Sequence, residues 1–593
     1  MKRLFDIFLK QAQNRPNSDL LGYKENGIWK TLKCKEVVDE AERFAEGLLA
    51  IGIKNEILEI EKQEKIALVS PNRPEWVITD LAVQLTGAVL TPIYPTISPH
   101  EFAFILNEAE IEKVIFSDKE MYKRFESAFD SIPTLKHFIS FEPFEEAKHW
   151  KSMHGNQNTK QERLQIMERI KTENIATLIY TSGTTGKPKG VMLSHENIYS
   201  NVMDCMPVFD FAEVDEKALS FLPLNHIFER TVTYIYIEAG MTIYYAENLD
   251  TIGENLKEVQ PIVFTCVPRL LEKVYERILI TGHSLTGIKK KLFFWANDLG
   301  MKYDTVDKGS AWYRFQLKIA NKIIFNKWRE ALGGRVRAVV SGSAPLQDKL
   351  IRIFCAAQIN VMEGYGLTET SPVISVNLRD EAQKRIGTVG PAIKNVEVKI
   401  ADDGEILTRG KNNMVGYYKN QEMTDEVIDK DGWLHTGDIG VLEEGKYLRI
   451  TDRKKEIFKT SGGKYVAPQA VEGKIRESHF IEQMMVFGPN RKFVAALIVP
   501  SFDHVRNKLK RENISLPKTN KELIKMPEVI DLIQKQVEKY NSYLNHVEQV
   551  KKFTLLADEW TVDNGILTPK LSLRRKKIYE RYEAEIEALY TDV

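Results

Sequence analysis

The sequence predicts an α/β protein: a large N-terminal domain of parallel α/β sheets that ends in a β-rich subdomain, followed by a small α+β C-terminal domain. Three observations predict it. Between about residues 36 and 345, apolar runs of strand length alternate with stretches of helical periodicity, the pattern of a largely parallel sheet with crossover helices. From about residue 395 the texture changes to short strands and tight turns. After Asp452-Arg453 a lysine-rich segment leads into a second, smaller α/β pattern, so we divide the chain into residues 1–451 and 452–593.

Taken in order, residues 36–52 carry apolar residues at helical spacing and stop at a Gly. KIALVSPN (65–72) reads as a buried strand running into a turn, and residues 74–95 as helix, Gly stop and strand. VIFSD (114–118) is a further strand. Residues 145–172 are polar and short of apolar periodicity, which predicts a surface connection. IATLIYTSG (175–183) and VRAVVSGSAP (336–345) each run from strand into a Gly-rich turn, and a long helical stretch occupies about 277–332. VEVKI, GEILTRG, GWLHTGDIG and KYLRITD predict the β-rich stretch, with Asp438 in a turn between strands. MMVFGP and FVAALIVP open the last pattern.

The bulk properties exclude several classes. Lys plus Arg equals Asp plus Glu at 83 each, so no charge bias points to nucleic acid. Cys34, Cys205, Cys266 and Cys355 are scattered, without CxxC or zinc spacing, and predict buried thiols in a reducing compartment. The N-terminal MKRLFDIFLKQAQNRPN is interrupted by Asp6 and Lys10 and lacks a small-residue cleavage site, so no signal peptide is expected. No uncharged run approaches the ~20 residues of a spanning helix. The expectation is a cytoplasmic protein, with membrane contact at most peripheral on the inner face.

One segment is rich in phosphate-binding chemistry. Tyr180-Thr181-Ser182-Gly183-Thr184-Thr185-Gly186-Lys187-Pro188-Lys189-Gly190 combines three glycines, which let the backbone approach a phosphate, with four hydroxyls and two lysines. It is not a Walker A loop: Thr181 stands where that pattern needs Gly, and Pro188 where it needs Ser or Thr. The other chemistry-bearing segments are LPLNHIFER (222–230), SGSAP (341–345), EGYGLTETSP (363–372), GWLHTGDIG (432–440) and DRKKEIFKTSGGKYVAP (452–468).

In this order and spacing these segments resemble the core motifs of the adenylate-forming enzymes, and within them the long-chain acyl-CoA synthetase branch. The resemblance implies an ATP-dependent, AMP-forming long-chain fatty acid–CoA ligase whose partners are a fatty acid, ATP and coenzyme A, with Mg²⁺ as metal. It assigns Thr181, Ser182, Gly183, Thr184, Thr185, Gly186 and Lys187 to the phosphates, and Gly342 and Ser343 to the nucleotide. Gly364, Tyr365, Gly366 and Thr368 fall to the adenine side, where a flat aromatic between small residues suits a purine. Thr184 and Glu369 fall to the metal, as hard oxygen donors. Asp438 and Arg453 fall to the ribose, with Lys455 and Lys459 near the nucleotide and His226 beside the reacting carboxylate. Glu229 and Arg230, next to that histidine, are expected to form a structural ion pair.

The implied reaction has two steps, carboxylate attack on the α-phosphate and then CoA attack on the acyl-adenylate. Between them the C-terminal domain rotates about Asp452 and turns Gly462, Gly463 and Tyr465 toward the thioester channel. One departure stands out. Aligned on Thr568 and Arg575, the family's catalytic-lysine position holds Ser572. Lys570, two residues earlier and on the same side of an extended segment, is the expected replacement. The stretch GIKKKLFFWANDLG (287–300) is read first as an amphipathic surface helix and second as a membrane contact. Competing functions are an acyl-AMP ligase that loads a carrier protein and a non-catalytic acyl- or nucleotide-binding protein.

Overall fold

The computed structural model describes residues 2–53, 62–153, 155, 157–182, 188–561, 564–567 and 573–591. It divides into two compact units: Met1–Ser343 with Leu350–Lys399 and Leu407–His435, and Thr436–Val593 with Ala344–Lys349 and Ile400–Ile406.

The first unit holds two eight-stranded sheets among the described residues. In one, the strands Ile175–Ser182, Val89–Ile93, Lys65–Val69, Lys113–Phe116, His137–Ser140 and Lys148–His149 lie side by side and parallel. Pro188–Ser194 and Gly416–Tyr417 continue that sheet antiparallel. In the other, Val361–Gly366, Ala338–Ser341, Val263–Cys266, Lys217–Ser220, Thr242–Tyr245 and Asp19–Glu25 are parallel, flanked by antiparallel Val373–Val376 and Ile28–Lys33. Lys65–Val69 is buried at every position, which is why it reads as a continuous run rather than an alternation. The helix Cys34–Ala50 buries Val37, Ala41, Phe44 and Leu48, one stripe at helical spacing, and Gly52 follows it at φ +81°. The helix Pro74–Leu85 starts on its Pro and is followed by Gly87 at φ +73°, as its sequence predicts.

Two expectations are corrected. Residues 145–172 are more than a surface connection: a helix spans Gln157–Arg169, and Trp150, Met153, Ile166 and Ile170 are buried in the main core. Its sequence lacks apolar periodicity because the buried face includes a cation. Arg163 is buried, with its guanidinium 3.1 Å from Glu42 and 3.2 Å from Glu46. The long helical stretch is several helices, Pro268–Ser284, Gly287–Met301, Ala311–Ala320 and Asn326–Ala331, the last two joined by a π-helical turn at Asn321–Phe325.

The strand Leu434–Glu443 enters the second unit at Thr436, and within that unit it pairs antiparallel with Tyr447–Arg453 from Asp438 opposite Arg453 to Glu443 opposite Tyr447. Strands Ile481–Phe487 and Val550–Leu555 flank Val494–Pro500 in a three-stranded sheet, with Val494–Pro500 wholly buried. Cys34, Cys205 and Cys266 are buried and Cys355 half-buried, all as free thiols.

Candidate active site

The strand Pro188–Ser194 leaves the glycine-rich loop with Lys189 as its second residue. Gly416–Tyr417 pairs alongside, Tyr417 opposite Val191. The turn Thr368–Thr370 brings in Glu369, anchored where the Met414 N–H donates to the Glu369 carbonyl at 2.8 Å. Three side chains meet there. Lys189 Nζ donates to Glu369 Oε1 at 2.8 Å, Tyr417 Oη donates to the same oxygen at 2.8 Å, and Lys189 also reaches the Tyr417 hydroxyl. Burial pushes the Glu369 carboxyl up, but the Lys189 cation and its hydrogen bond outweigh burial and hold the group below the usual carboxylate range. Glu369 is thus a charged hard-oxygen donor in a low-dielectric setting, which fits a magnesium ligand. Of its expected companions, Thr181 lies in the strand Ile175–Ser182, which Ser182 ends, while Gly183, Thr184, Thr185, Gly186 and Lys187 lie outside the described residues.

Gly364, Tyr365 and Gly366 end the strand Val361–Gly366 that leads to Glu369, with Tyr365 half-buried opposite Ser375. Only glycine fits at 366, since a Cβ there would lie 1.7 Å from the Pro372 carbonyl oxygen. Thr368 is buried in the turn that follows.

His226 takes the N-cap of the helix Ile227–Glu238, and its Nδ1 accepts from the Phe228 N–H at 3.0 Å. Phe228 packs on Gly342, where a Cβ would stand 3.2 Å from the ring, so the second and third core segments touch. Ser343 follows in the left-handed region at φ +71°. The expected Glu229–Arg230 pair is not formed, because adjacent helical residues point to different sides. Glu229 instead accepts from Ser220 Oγ at 2.6 Å and from Thr265 Oγ1. Arg230 donates to Asp80 Oδ2 at 3.0 Å and to Thr177 Oγ1 at 2.6 Å. Burial raises the Glu229 carboxyl to about 7 against its two hydroxyl donors.

In the second unit Asp438 lies within a strand rather than a turn, one residue after Gly437 at φ +72°. Arg453, its cross-strand neighbour, places Nε 2.8 Å from Asp438 Oδ1, which unites the two expected ribose residues. Asp452 accepts from the N–H groups of Arg453 at 2.6 Å and Gln469 at 3.1 Å, and burial lifts its carboxyl to about 6. Lys455 and Lys459 are exposed. Lys459 and Tyr465 face each other across the short hairpin Phe458–Lys459 and Tyr465–Val466, with the ammonium 5.3 Å from the ring centroid and Gly462 and Gly463 at the tip. Lys570, with Thr568 and Ser572, lies outside the described residues. Leu567 and Leu573, which flank that segment, form an antiparallel bridge, and Arg575 follows. Its guanidinium lies 2.8 Å from Glu456 and 2.6 Å from Glu472.

Sequence reasoning missed Tyr417, which sits in no recognised motif, and counted Lys189 only as loop charge. A cation one position past the loop's Pro was the available signal.

Comparison with known proteins shows the family of the chain. The AMP-binding enzyme family matches residues 8–418, and the AMP-binding enzyme C-terminal domain matches residues 455–593. A long-chain-fatty-acid–CoA ligase of Mycobacterium bovis is 31% identical over 97% of this chain and 95% of its own length. Long-chain-fatty-acid–CoA ligase 5 of Mus musculus is 32% identical over 100% of this chain and 89% of its own. The adenylation domain of a carboxylate reductase from Mycobacterium chelonae shares the fold, with a TM-score of 0.75 at 21% identity over 99% of this chain and 91% of that one.

Proposed function

The chain belongs to the AMP-binding enzyme family, and from that premise we propose that it is a long-chain fatty acid–CoA ligase using ATP and coenzyme A as co-substrates. In the first step a fatty acid carboxylate oxygen attacks the α-phosphorus of ATP and the bond to pyrophosphate breaks. In the second the CoA thiol attacks the acyl carbon, loses its proton and expels AMP. The observation that carries this reading is the Lys189–Glu369–Tyr417 cluster at the base of the glycine-rich loop.

Glu369 and Thr184 would hold Mg²⁺, which when bound would neutralise phosphate charge and stabilise the charge developing at the α-phosphate as the adenylyl group is transferred. Lys189 favours the ionised form of Glu369 for that task. Backbone N–H groups and hydroxyls of residues 181–187 receive the phosphates. Tyr365 offers its ring to the adenine and Asp438, oriented by Arg453, its carboxylate to the ribose hydroxyls. His226, fixed by its capping bond, borders the acid. Lys570 supplies the cation that meets the charge developing on the α-phosphate. The segment from Asp452 onward is the hinge, and the Gly462–Gly463 loop with Tyr465 serves the thioester step.

No helix among the described residues is long and apolar enough to cross a membrane. The cytoplasm, which holds ATP and CoA, is the proposed site of action.

The test is AMP release from ATP, Mg²⁺ and CoA across acids of increasing length, with mass detection of products. Acyl-CoA formation peaking at long chains is expected. Acyl-AMP without thioester would replace this reading with a carrier-protein loader, and no turnover with any acid with a binding protein. Lys570→Ala is expected to abolish pyrophosphate release while sparing thioester formation from supplied acyl-AMP. Unchanged adenylation would remove Lys570 from its role.

A further inference from the structure

The helices Gly287–Met301 and Ala311–Ala320 pack together in the first unit: Trp295 Nε1 donates to Gln316 Oε1 at 3.0 Å, and Tyr313 Oη to the Leu299 carbonyl at 2.9 Å. Their inner faces are buried at Phe293, Ala296, Leu299 and Ala320, and buried Phe325 and Trp328 follow the second helix. Their outer faces present an apolar strip to solvent. Trp312, Phe315, Ile319 and Ile323 recur at intervals of three and four, so they line one side of the second helix and its π-helical extension. Trp312 is 66% and Phe315 53% exposed, and their rings stack at 5.6 Å. On the first helix Ile288, 74% exposed, and Leu292 lie on the same side as Trp295, which faces the second helix. Exposed aromatic and branched side chains in such a run are costly in water and mark a surface that docks.

Charge states what it docks to. The chain's formal net charge is zero, yet between Gly287 and Lys327 Lys and Arg outnumber Asp nine to three, with no Glu. Arg314, Lys318 and Lys322 are exposed and each precedes a member of the apolar strip, so a basic row runs beside Phe315, Ile319 and Ile323. An apolar strip carrying Trp and Phe with a parallel cationic row matches the acyl boundary and the anionic headgroups of a bilayer. A protein partner with an apolar groove would not require the basic row.

We propose that this helix pair is a docking surface for anionic lipid, on which the protein lies with Trp312 and Phe315 inserted at headgroup depth. The surface stands on geometry outside the adenylation residues, and its test is read without ATP, CoA or fatty acid, so it succeeds or fails apart from the ligase reading.

The test is co-sedimentation of the full chain with vesicles of phosphatidylcholine alone and of phosphatidylcholine mixed with phosphatidylglycerol. Binding to the anionic vesicles, weakened by salt, is expected. Trp312→Ser with Phe315→Ser, and separately Arg314→Gln with Lys318→Gln and Lys322→Gln, are each expected to lower partitioning about tenfold or more. A control pair at exposed apolar positions elsewhere in the unit, Ile28→Ser with Leu249→Ser, is expected to leave it unchanged. All variants replace exposed side chains, and an unchanged melting temperature shows that each folds. Equal binding by wild type and both helix variants, equal binding to neutral and anionic vesicles, or concentration-dependent self-association lost in the same variants without vesicle binding would each overturn the proposal.

Discussion

Lys189 and Glu369 stand 180 residues apart in sequence and meet at 2.8 Å, with Tyr417 bonded to both. Their pairing joins the exit of the glycine-rich loop to the turn after Tyr365, so the phosphate and purine segments share one electrostatic centre. Burial pushes the Glu369 carboxyl up, and the Lys189 cation with its hydrogen bond is the largest of the contributions that bring it below the usual range. Lys189→Met removes the opposing cation. The acid limb of the adenylation profile is then expected to move to higher pH, and the Mg²⁺ concentration for half-maximal rate to rise at least several-fold. Pyrophosphate release against pH and against Mg²⁺ checks both, and an unmoved acid limb would show that Lys189 does not set the ionisation of Glu369.

Glu229 tests the buried side of the site. Its folded value of about 7 lies above the ordinary 4.5, so its neutral form is the one the fold prefers. The stabilisation is present below pH ~4.5 and is lost as pH rises through about 7, on the order of 3 kcal/mol in all. Glu229→Gln keeps a neutral partner for Ser220 and Thr265. The variant's melting temperature is expected to gain on wild type by a few degrees between pH 5 and pH 8. A constant difference across that range would show that Glu229 does not titrate there.

How much of this was legible in the sequence differs by kind of interaction. Strands such as Lys65–Val69 and the helix Cys34–Ala50 declare themselves because burial selects apolar residues at a fixed period. The helix Gln157–Arg169 did not, because Arg163 is buried through two acidic partners far away in sequence, and a charged residue scores as surface. The motif glycines were legible, as at Gly366 against the Pro372 carbonyl. Pair partners were not: Glu229 and Arg230 are neighbours in sequence, yet each finds its partners on other elements, Ser220 on a strand and Asp80 on the helix Pro74–Leu85, which only the fold brings near. Tyr417 was invisible for the same reason.

Asp452 links hinge to pH. Two backbone N–H groups donate to its carboxylate while burial raises it to about 6, so protonation near that value costs it an acceptor for Arg453 or Gln469. If reorientation at the hinge limits turnover, kcat is expected to show an inflection near pH 6 that Asp452→Asn removes while the pH dependence of pyrophosphate release in a single turnover persists. An inflection that survives in the variant would assign it to another group.

Arg575 binds the segment after Lys570 to the segment after the hinge. It holds Glu456 and the buried Glu472, and Glu456 in turn accepts from Gln469 Nε2 at 2.7 Å, next to the Asp452 partner N–H. Removing the cation leaves Glu472 buried beside Glu456 without compensation, so Arg575→Ala is expected to destabilise the second unit by about 3–5 kcal/mol. Arg575→Met with Glu472→Met removes both charges, and is expected to recover most of that loss because two apolar side chains of similar length fill the space. Adenylation gives the separate readout. In the double variant the fold returns but the tether from Glu456 to the lysine segment does not, so pyrophosphate release is expected to stay at least tenfold low while thioester formation from supplied acyl-AMP approaches wild type. Recovery of both activities together with stability would reduce Arg575 to a structural ion pair.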